Sequence, residues 1–227
     1  MHRTAVENAR LFAEVYLADA GAATIVEIGS QDVNGSIRPV FGDKVRYIGV
    51  DFANARGVDV VLEDPYRFPF GDDEIDAVVT SSCFEHSEFF WLTFLEAVRI
   101  TRPGGLIYLN APSNGPVHGY PVDCWRFYPD SGPALARWAV RNGQEVTLLE
   151  SYTGEQEGGY LNDFVAVFLK GSDQLGAYPN RILDRIQAFT NGYVHGEPDR
   201  RRPQSLTEDQ RNLLALQKFL EGRLKPI

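Results

Sequence analysis

The sequence predicts an α/β fold: a doubly wound sheet of seven strands over residues 1–171, followed by a C-terminal helical extension over 172–227. Three observations carry this expectation. Apolar runs of strand length recur through the first 171 residues, separated by turn residues and by stretches of helical periodicity. The first run, Ile25-Val26-Glu27-Ile28, breaks at Gly29 into a polar turn, Ser30 to Asn34, closed by Gly35. The second run, Tyr47 to Val50, ends in Asp51 about twenty residues past that turn, the spacing that sets an acid at the end of the neighbouring strand of such a sheet.

Taken in order, Thr4 to Leu17 reads as a helix with a broad apolar face, stopped by Gly21. The first strand follows, and a helix starting near Asp32 or Asn34 would turn its amides toward a ligand at the glycine turn. Ser36 to Val40 reads as a short helix ended near Pro39. Strands two and three are Val45 to Val50 and Val58 to Leu62, joined by a connection too short for a full helix. Gly71-Asp72-Asp73 is turn chemistry. Ile75 to Ser81, almost all apolar, is a central strand. Phe89 to Ile100 is an amphipathic helix, and Pro103-Gly104-Gly105 turns the chain into the strand Leu106 to Leu109. Ser113 to Pro129 is rich in proline, glycine and aromatic residues; it cannot be helical, and long ordered loops of this kind are usually functional. Asp130 caps a helix running to Arg141. Val146 to Ser151 and Phe164 to Leu169 are the last two strands, joined by a polar loop, Gly154 to Gly159, suited to a flap. Beyond Gly171 the alternation stops. Arg181 to Phe189 reads as a short helix, Asn191 to Gln204 as polar chain, and Leu206 to Leu224 as an amphipathic helix with a capping box at Thr207 and Gln210. That helix either packs on the domain or pairs with a second subunit.

Composition bounds the function classes. The chain has 227 residues, 44% hydrophobic and 23% charged, values of a globular domain. A net charge of −9 disfavours a nucleic-acid backbone as partner. The run Arg200-Arg201-Arg202 reads as a solvated loop. No apolar stretch approaches a membrane span, and no secretory signal is visible. Two cysteines, Cys83 and Cys124, fit a reducing cytoplasm and argue against a disulfide framework or a zinc site.

At the glycine turn, small residues allow close backbone approach to a ligand. Glu27 suits a ligand that carries an amine or hydroxyls. Asp51 can accept hydrogen bonds from both hydroxyls of a ribose, which argues for a free 2′-hydroxyl. Ser81-Ser82-Cys83-Phe84-Glu85-His86 opens into the cleft outside the strand ends, where such sheets bind ligands.

Five segments in this order resemble the class I S-adenosylmethionine-dependent methyltransferases, in the methyltransferase type 11-like branch. They are Val26-Glu27-Ile28-Gly29-Ser30, Gly49-Val50-Asp51, Phe68-Pro69-Phe70 with Asp72 to Asp76, Phe84-Glu85-His86, and Arg102-Pro103-Gly104-Gly105. The sequence departs from the family pattern at Gln31 and Val33, where glycines are usual. The resemblance implies a Rossmann-like sheet, mostly parallel, with an antiparallel C-terminal strand. It implies S-adenosyl-L-methionine as cofactor and S-adenosyl-L-homocysteine as product. Glu27 would then hold the methionine amine region, and Gly29, Ser30 and Gln31 would make close backbone contacts, with Gly35 closing the turn. Asp51, with Phe52 beside it, would bind ribose, and Asp64, with Glu63, adenine. Ser82 and Cys83 would line the cofactor from the central strand.

Methyl transfer is an in-line displacement, so the acceptor atom must be held near the methyl carbon and a hydroxyl acceptor must lose its proton. Glu85, His86, His118 and Asp123 lie on the expected cleft rim; His86, His118 and Asp123 are the catalytic candidates. His86 can equally brace the start of the next helix, and Asp123 can pair with Arg126. Tyr120, Trp125, Arg126 and Tyr128 are candidates for the acceptor wall. A divalent metal is chemically possible but not predicted, since no ligand spacing demands it. The expected partner is a small-molecule acceptor, such as a sugar hydroxyl in glycan or secondary-metabolite biosynthesis, with no nucleic acid or membrane and a possible homodimer. Two alternatives remain open: a nicotinamide-dependent oxidoreductase, and a catalytically silent scaffold working through its C-terminal helix.

Overall fold

The computed structural model describes residues 3–18, 21–156 and 161–222. In chain order the main elements are α1 (Arg3–Tyr16), β1 (Thr24–Ile28), β2 (Arg46–Asp51), β3 (Val60–Val61), β4 (Ile75–Ser81), α2 (Phe90–Ile100), β5 (Thr101–Pro112), α3 (Ser131–Arg141), β6 (Val146–Gly154), β7 (Asp163–Lys170), β8 (Phe189–Val194) and α4 (Glu208–Leu220). The strands form one sheet in the order β3-β2-β1-β4-β5-β7-β6-β8. β3, β2, β1, β4 and β5 are parallel. β7 runs antiparallel to β5 and β6, and β8 antiparallel to β6.

The sheet lies between two apolar layers. Phe94, Ala97, Val98 and Ile100 of α2 and Leu135 and Ala139 of α3 close one face, packing on Val78, Ile107 and Phe168. On the other face Ala5, Ala9, Phe12 and Tyr16 recur at helical spacing along α1 and are buried. Phe12 meets Tyr108 with ring centroids 4.8 Å apart. Coverage of both faces explains why β4 and β5 read as continuous apolar runs.

A buried clip joins three segments on the α1 side. Glu150 of β6 is fully buried and accepts hydrogen bonds from Tyr16 Oη at 2.6 Å, Ile182 N at 2.7 Å and Leu183 N at 3.0 Å. Burial pushes its carboxyl pKa up, against the pull of these donors.

Several expectations are corrected. The sheet has eight strands, not seven. The added strand is β8, in a region expected to hold a short helix and polar chain. Its Asn191-Gly192 pair reads as a turn, and a register irregularity opposite Ser151 to Thr153 breaks the alternation a strand would show. Residues 172–222 are therefore not a purely helical extension: before α4 they hold two short 3-10 turns and this edge strand. No α-helix follows the glycine turn. Only a 3-10 turn, Arg38–Phe41, stands there, with Pro39 in its first turn, where its missing N–H costs nothing. Pro103-Gly104-Gly105 lie inside β5 and not before it, at a register irregularity between Thr101 and Leu106.

Ser113 to Pro129 is irregular throughout, as its prolines require. Asp130 precedes α3 but makes no capping bond and instead pairs with Arg200. The capping box of α4 is formed: Gln210 N donates to Thr207 Oγ1 and Thr207 N to Gln210 Oε1. The loop expected as a flap, Gly154 to Gly159, lies partly outside the described residues. Among the described residues no helix is long and apolar enough to cross a membrane.

Candidate functional site

Parallel strands end together, so β1, β2 and β4 deliver Gly29, Asp51 and Ser81 to one edge of the sheet. β7 runs the other way and brings its first residue, Asp163, to the same edge. Two cavities open there, of about 210 Å³ and about 250 Å³. Both are lined by Gly29, Asp51, Phe52, Cys83 and His86.

Gly29 has φ +76°, and a Cβ on it would lie 2.5 Å from both Cβ and Sγ of Cys83. Glycine is therefore required twice over, by conformation and by space. Asp51 is buried and accepts from Gln31 N at 3.3 Å and Ala53 N at 3.0 Å, which fixes its carboxylate where the cavities meet. Ser82 sits at φ +52°, and its backbone N–H donates a hydrogen bond to Asn110 O at 2.9 Å. The larger cavity is the more apolar, with Ile28, Leu62, Pro65, Tyr66 and Val122 in its wall. The smaller is ringed by polar groups: Gln31, Asn34, Ser81, Glu85, His118, Tyr120 and Asp163.

Of the cofactor candidates, Gly29, Gln31, Gly35, Asp51, Phe52, Ser82 and Cys83 line the cavities; Glu27, Ser30, Glu63 and Asp64 do not. Glu27 is buried beside Tyr47 and Arg38, and burial pushes its pKa up to about 7 while those two neighbours pull it down. Ser30 is buried with its hydroxyl unpartnered. Asp64 Oδ1 accepts from Tyr66 N at 2.8 Å, so the acid shapes the turn that sets Pro65 and Tyr66 in the apolar wall.

The long irregular segment returns to the sheet through backbone bonds. Cys124 N and Trp125 N both donate to Glu85 O, and Phe127 N donates to Pro112 O at 2.9 Å. Phe127 is buried against Phe84, Phe90 and Phe164. Of the acceptor-wall candidates only Tyr120 lines a cavity of this pair. Trp125 packs on Phe90 and Trp91, and its indole N–H donates to Ser87 O at 3.0 Å. Tyr128 borders a separate polar cleft near α4.

Asp123 is not a cavity group. It holds Arg126 through both oxygens, at 2.5 and 2.8 Å, and accepts from His118 N at 2.7 Å. The Arg126 bonds hold its carboxyl well below the usual range. Arg126 also donates to Pro116 O at 2.8 Å, so the pair is an internal strut of the loop. That strut presents His118 to His86, with ring centroids 5.1 Å apart and planes nearly perpendicular. Burial lowers the His86 pKa. Glu85 lies beneath both rings, 1% exposed, its Oε1 3.6 Å from His86 Nε2 and its Oε2 without a partner. Burial pushes Glu85 up to about 8.

Two lining acids stood outside the leading candidates. Glu85 follows Phe84 at the end of β4 and was legible as a rim residue. Asp163 carries a signal too: a polar pair, Asn162-Asp163, precedes an apolar run that ends an antiparallel sheet. It is held by Thr4 Oγ1 at 2.6 Å and Asn110 Nδ2 at 3.2 Å.

A family model described as a methyltransferase domain matches residues 32–109. An uncharacterized methyltransferase of Mycobacterium avium (strain 104) is 32% identical over 138 residues, covering 55% of this chain and 53% of the relative. The chain thus spans about half the length of such relatives. Among solved structures, the 1,6-didemethyltoxoflavin-N1-methyltransferase of Burkholderia thailandensis, with 1,6-didemethyltoxoflavin and S-adenosylhomocysteine bound, aligns with TM-score 0.56 at 17% identity, over 74% of this chain and 79% of that one. The cyclase SpnF aligns with TM-score 0.56 at 13% identity, over 73% of this chain and 81% of that one. At these identities the structural likeness is one of fold. Residues 32–109 thus resemble a methyltransferase domain, the matched relatives are named methyltransferases, and the chain shares its fold with a structure that holds S-adenosylhomocysteine.

Proposed function

We propose that the chain transfers a methyl group from S-adenosyl-L-methionine to a small-molecule acceptor, at a hydroxyl oxygen of a sugar or similar compound, in glycan or secondary-metabolite biosynthesis. One observation carries the reading: two cavities, one apolar and one polar, meet at Gly29 and Asp51. The residues fit the cofactor. Gly29 lets the turn pack tightly on Cys83 at the mouth of both cavities, Asp51 offers a fixed carboxylate to ribose, and Leu62, Pro65 and Tyr66 offer an apolar wall to adenine. When bound, the cofactor supplies an electrophilic methyl on a sulfonium. The chain's part is to hold the acceptor oxygen in line and receive its proton as the O–C bond forms and the C–S bond breaks. Glu85, His86 and His118 are the receiving groups at hand, and Tyr120 with the polar rim favours a hydroxylated acceptor.

The domain match and the named relatives leave the nicotinamide alternative without a supporting observation. A silent scaffold has one in its favour: no α-helix follows the glycine turn. The free thiols Cys83 and Cys124 suit a reducing compartment, and we place the protein in the cytoplasm. The division into a domain over 1–171 and an extension over 172–227 is likewise our reading; exposed Leu213, Leu216 and Leu220 on α4 suit a second copy as its partner.

Calorimetric titration with S-adenosylhomocysteine, with NAD as control, tests the cofactor assignment. Micromolar binding of the first alone is expected. Asp51→Ala should weaken it by about 1.5–3 kcal/mol through lost charge-assisted bonds. Unchanged affinity in the folded variant would remove Asp51 from the site, and turnover on a panel of hydroxylated acceptors separates enzyme from scaffold.

A further inference from the structure

We propose that Glu85, His86 and His118 hold a divalent first-row transition-metal ion on the acceptor side of the cavity. One ligand atom from each of the three side chains can be chosen so that all lie within 4.8 Å of one another. Glu85 Oε1 and His86 Nε2, at 3.6 Å, already stand at about the separation of two ligands on one ion with bonds near 2.0–2.1 Å.

The hydrogen bonds behind the rings point the same way. His86 Nδ1 lies 2.5 Å from Val122 O, and His118 Nδ1 lies 3.0 Å from Pro116 O. A carbonyl can only accept, so each ring carries its proton on Nδ1 and turns the lone pair of Nε2 outward. This is the outer-shell arrangement that orients metal-binding histidines. Beneath them Glu85 Oε2 is buried without a partner. A buried carboxylate oxygen with no donor is costly unless a cation or a proton answers it.

Ligand type selects the ion. Two imidazoles and one carboxylate suit zinc, iron, cobalt or manganese, whereas magnesium and calcium prefer all-oxygen sites. Three protein ligands leave positions open, and all three residues line the same cavity, so the open positions face the space assigned to the acceptor. Under the methyl-transfer reading, His86 and His118 then act as ligands, and the ion makes the acceptor hydroxyl more acidic where it binds.

The test uses the untagged full chain, dialysed against chelator and titrated with cobalt(II) chloride, following the visible absorption of the bound ion. One equivalent should bind, and zinc should displace it. His118→Ala, in an irregular segment at the rim, should weaken cobalt binding by about 10–100-fold or more, and Glu85→Gln, which keeps the side-chain volume, should do the same. Absence of stoichiometric binding by the wild-type chain overturns the site, as does cobalt affinity that survives in both variants. Stoichiometric magnesium binding without cobalt binding overturns the choice of ion. S-adenosylhomocysteine titration of the metal-free sample reports on the cofactor reading independently, and far-UV circular dichroism with an unchanged unfolding transition shows that the fold of each variant is intact.

Discussion

At the scale of single residues, the site depends on contacts with little tolerance. Gly29 combines a positive φ with a 2.5 Å approach to Cys83. Gly29→Ala should destabilise the chain by about 2 kcal/mol or more in denaturant titration and abolish S-adenosylhomocysteine binding. Glu27 sets a pH dependence. Its pKa rises from 4.5 to about 7 in the folded chain, so the folded state binds a proton the unfolded state has released. The stability tied to this proton is fully present below about pH 4.5 and is lost as pH rises through about 7. The total is up to about 3 kcal/mol. Glu27→Gln should flatten the wild-type slope within that window, measured as the difference between the two proteins; parallel slopes would remove Glu27 as the titrating group. Gly29, Asp51 and His86 were legible in the sequence because strand ends and glycine turns have local signatures. The placement of Glu27 was not, since which face of β1 it occupies depends on Tyr47 and Arg38, which are remote in sequence.

At the scale of elements, the Glu150 clip ties α1, β6 and the turn at Ile182 together. Glu150→Ala would leave Tyr16 Oη and two buried amides without acceptors, a cost of about 3–5 kcal/mol by urea denaturation. Glu150→Gln, which keeps one acceptor oxygen, should cost about 1–2 kcal/mol. A loss below 1 kcal/mol for the alanine variant would show that the segments dock without the clip. Such a long-range device has no sequence periodicity, and neither does β8, whose Asn191-Gly192 pair imitates a turn until β6 is there to receive it. The parallel strands were legible because two-sided burial writes itself as unbroken apolar runs. The 3-10 turn after β1 was misjudged because Pro39 can start a turn as readily as end one.

At the scale of the whole molecule, ligand binding couples to folding. If S-adenosylhomocysteine binds only the folded chain, a concentration of 100 times its Kd should stabilise by about 2.7 kcal/mol, read as a shift in the unfolding midpoint. A midpoint that does not move would count against a preformed site. α4 has no buried residue, and its exposed leucines should draw two copies together. Sedimentation should then show a dimer that Leu213→Glu with Leu216→Glu dissolves; a monomeric wild type would leave α4 to another role.

The attachment of residues 113–129 has a further consequence. Many of the groups that line the two cavities come from the ends of separate strands, but another part of the wall, His118 to Val122, belongs to one contiguous stretch of chain. That stretch is moored to the rest through main-chain bonds at Glu85 and Pro112, which any residue can supply, and through the side chains of Phe127 and Trp125. Its cavity-facing side chains, Tyr120 and Val122 among them, are thus freer to change than the anchors Phe127 and Trp125, while the sheet and the glycine turn stay untouched. Selectivity for the acceptor can drift quickly across such proteins even as the transferred group remains the same.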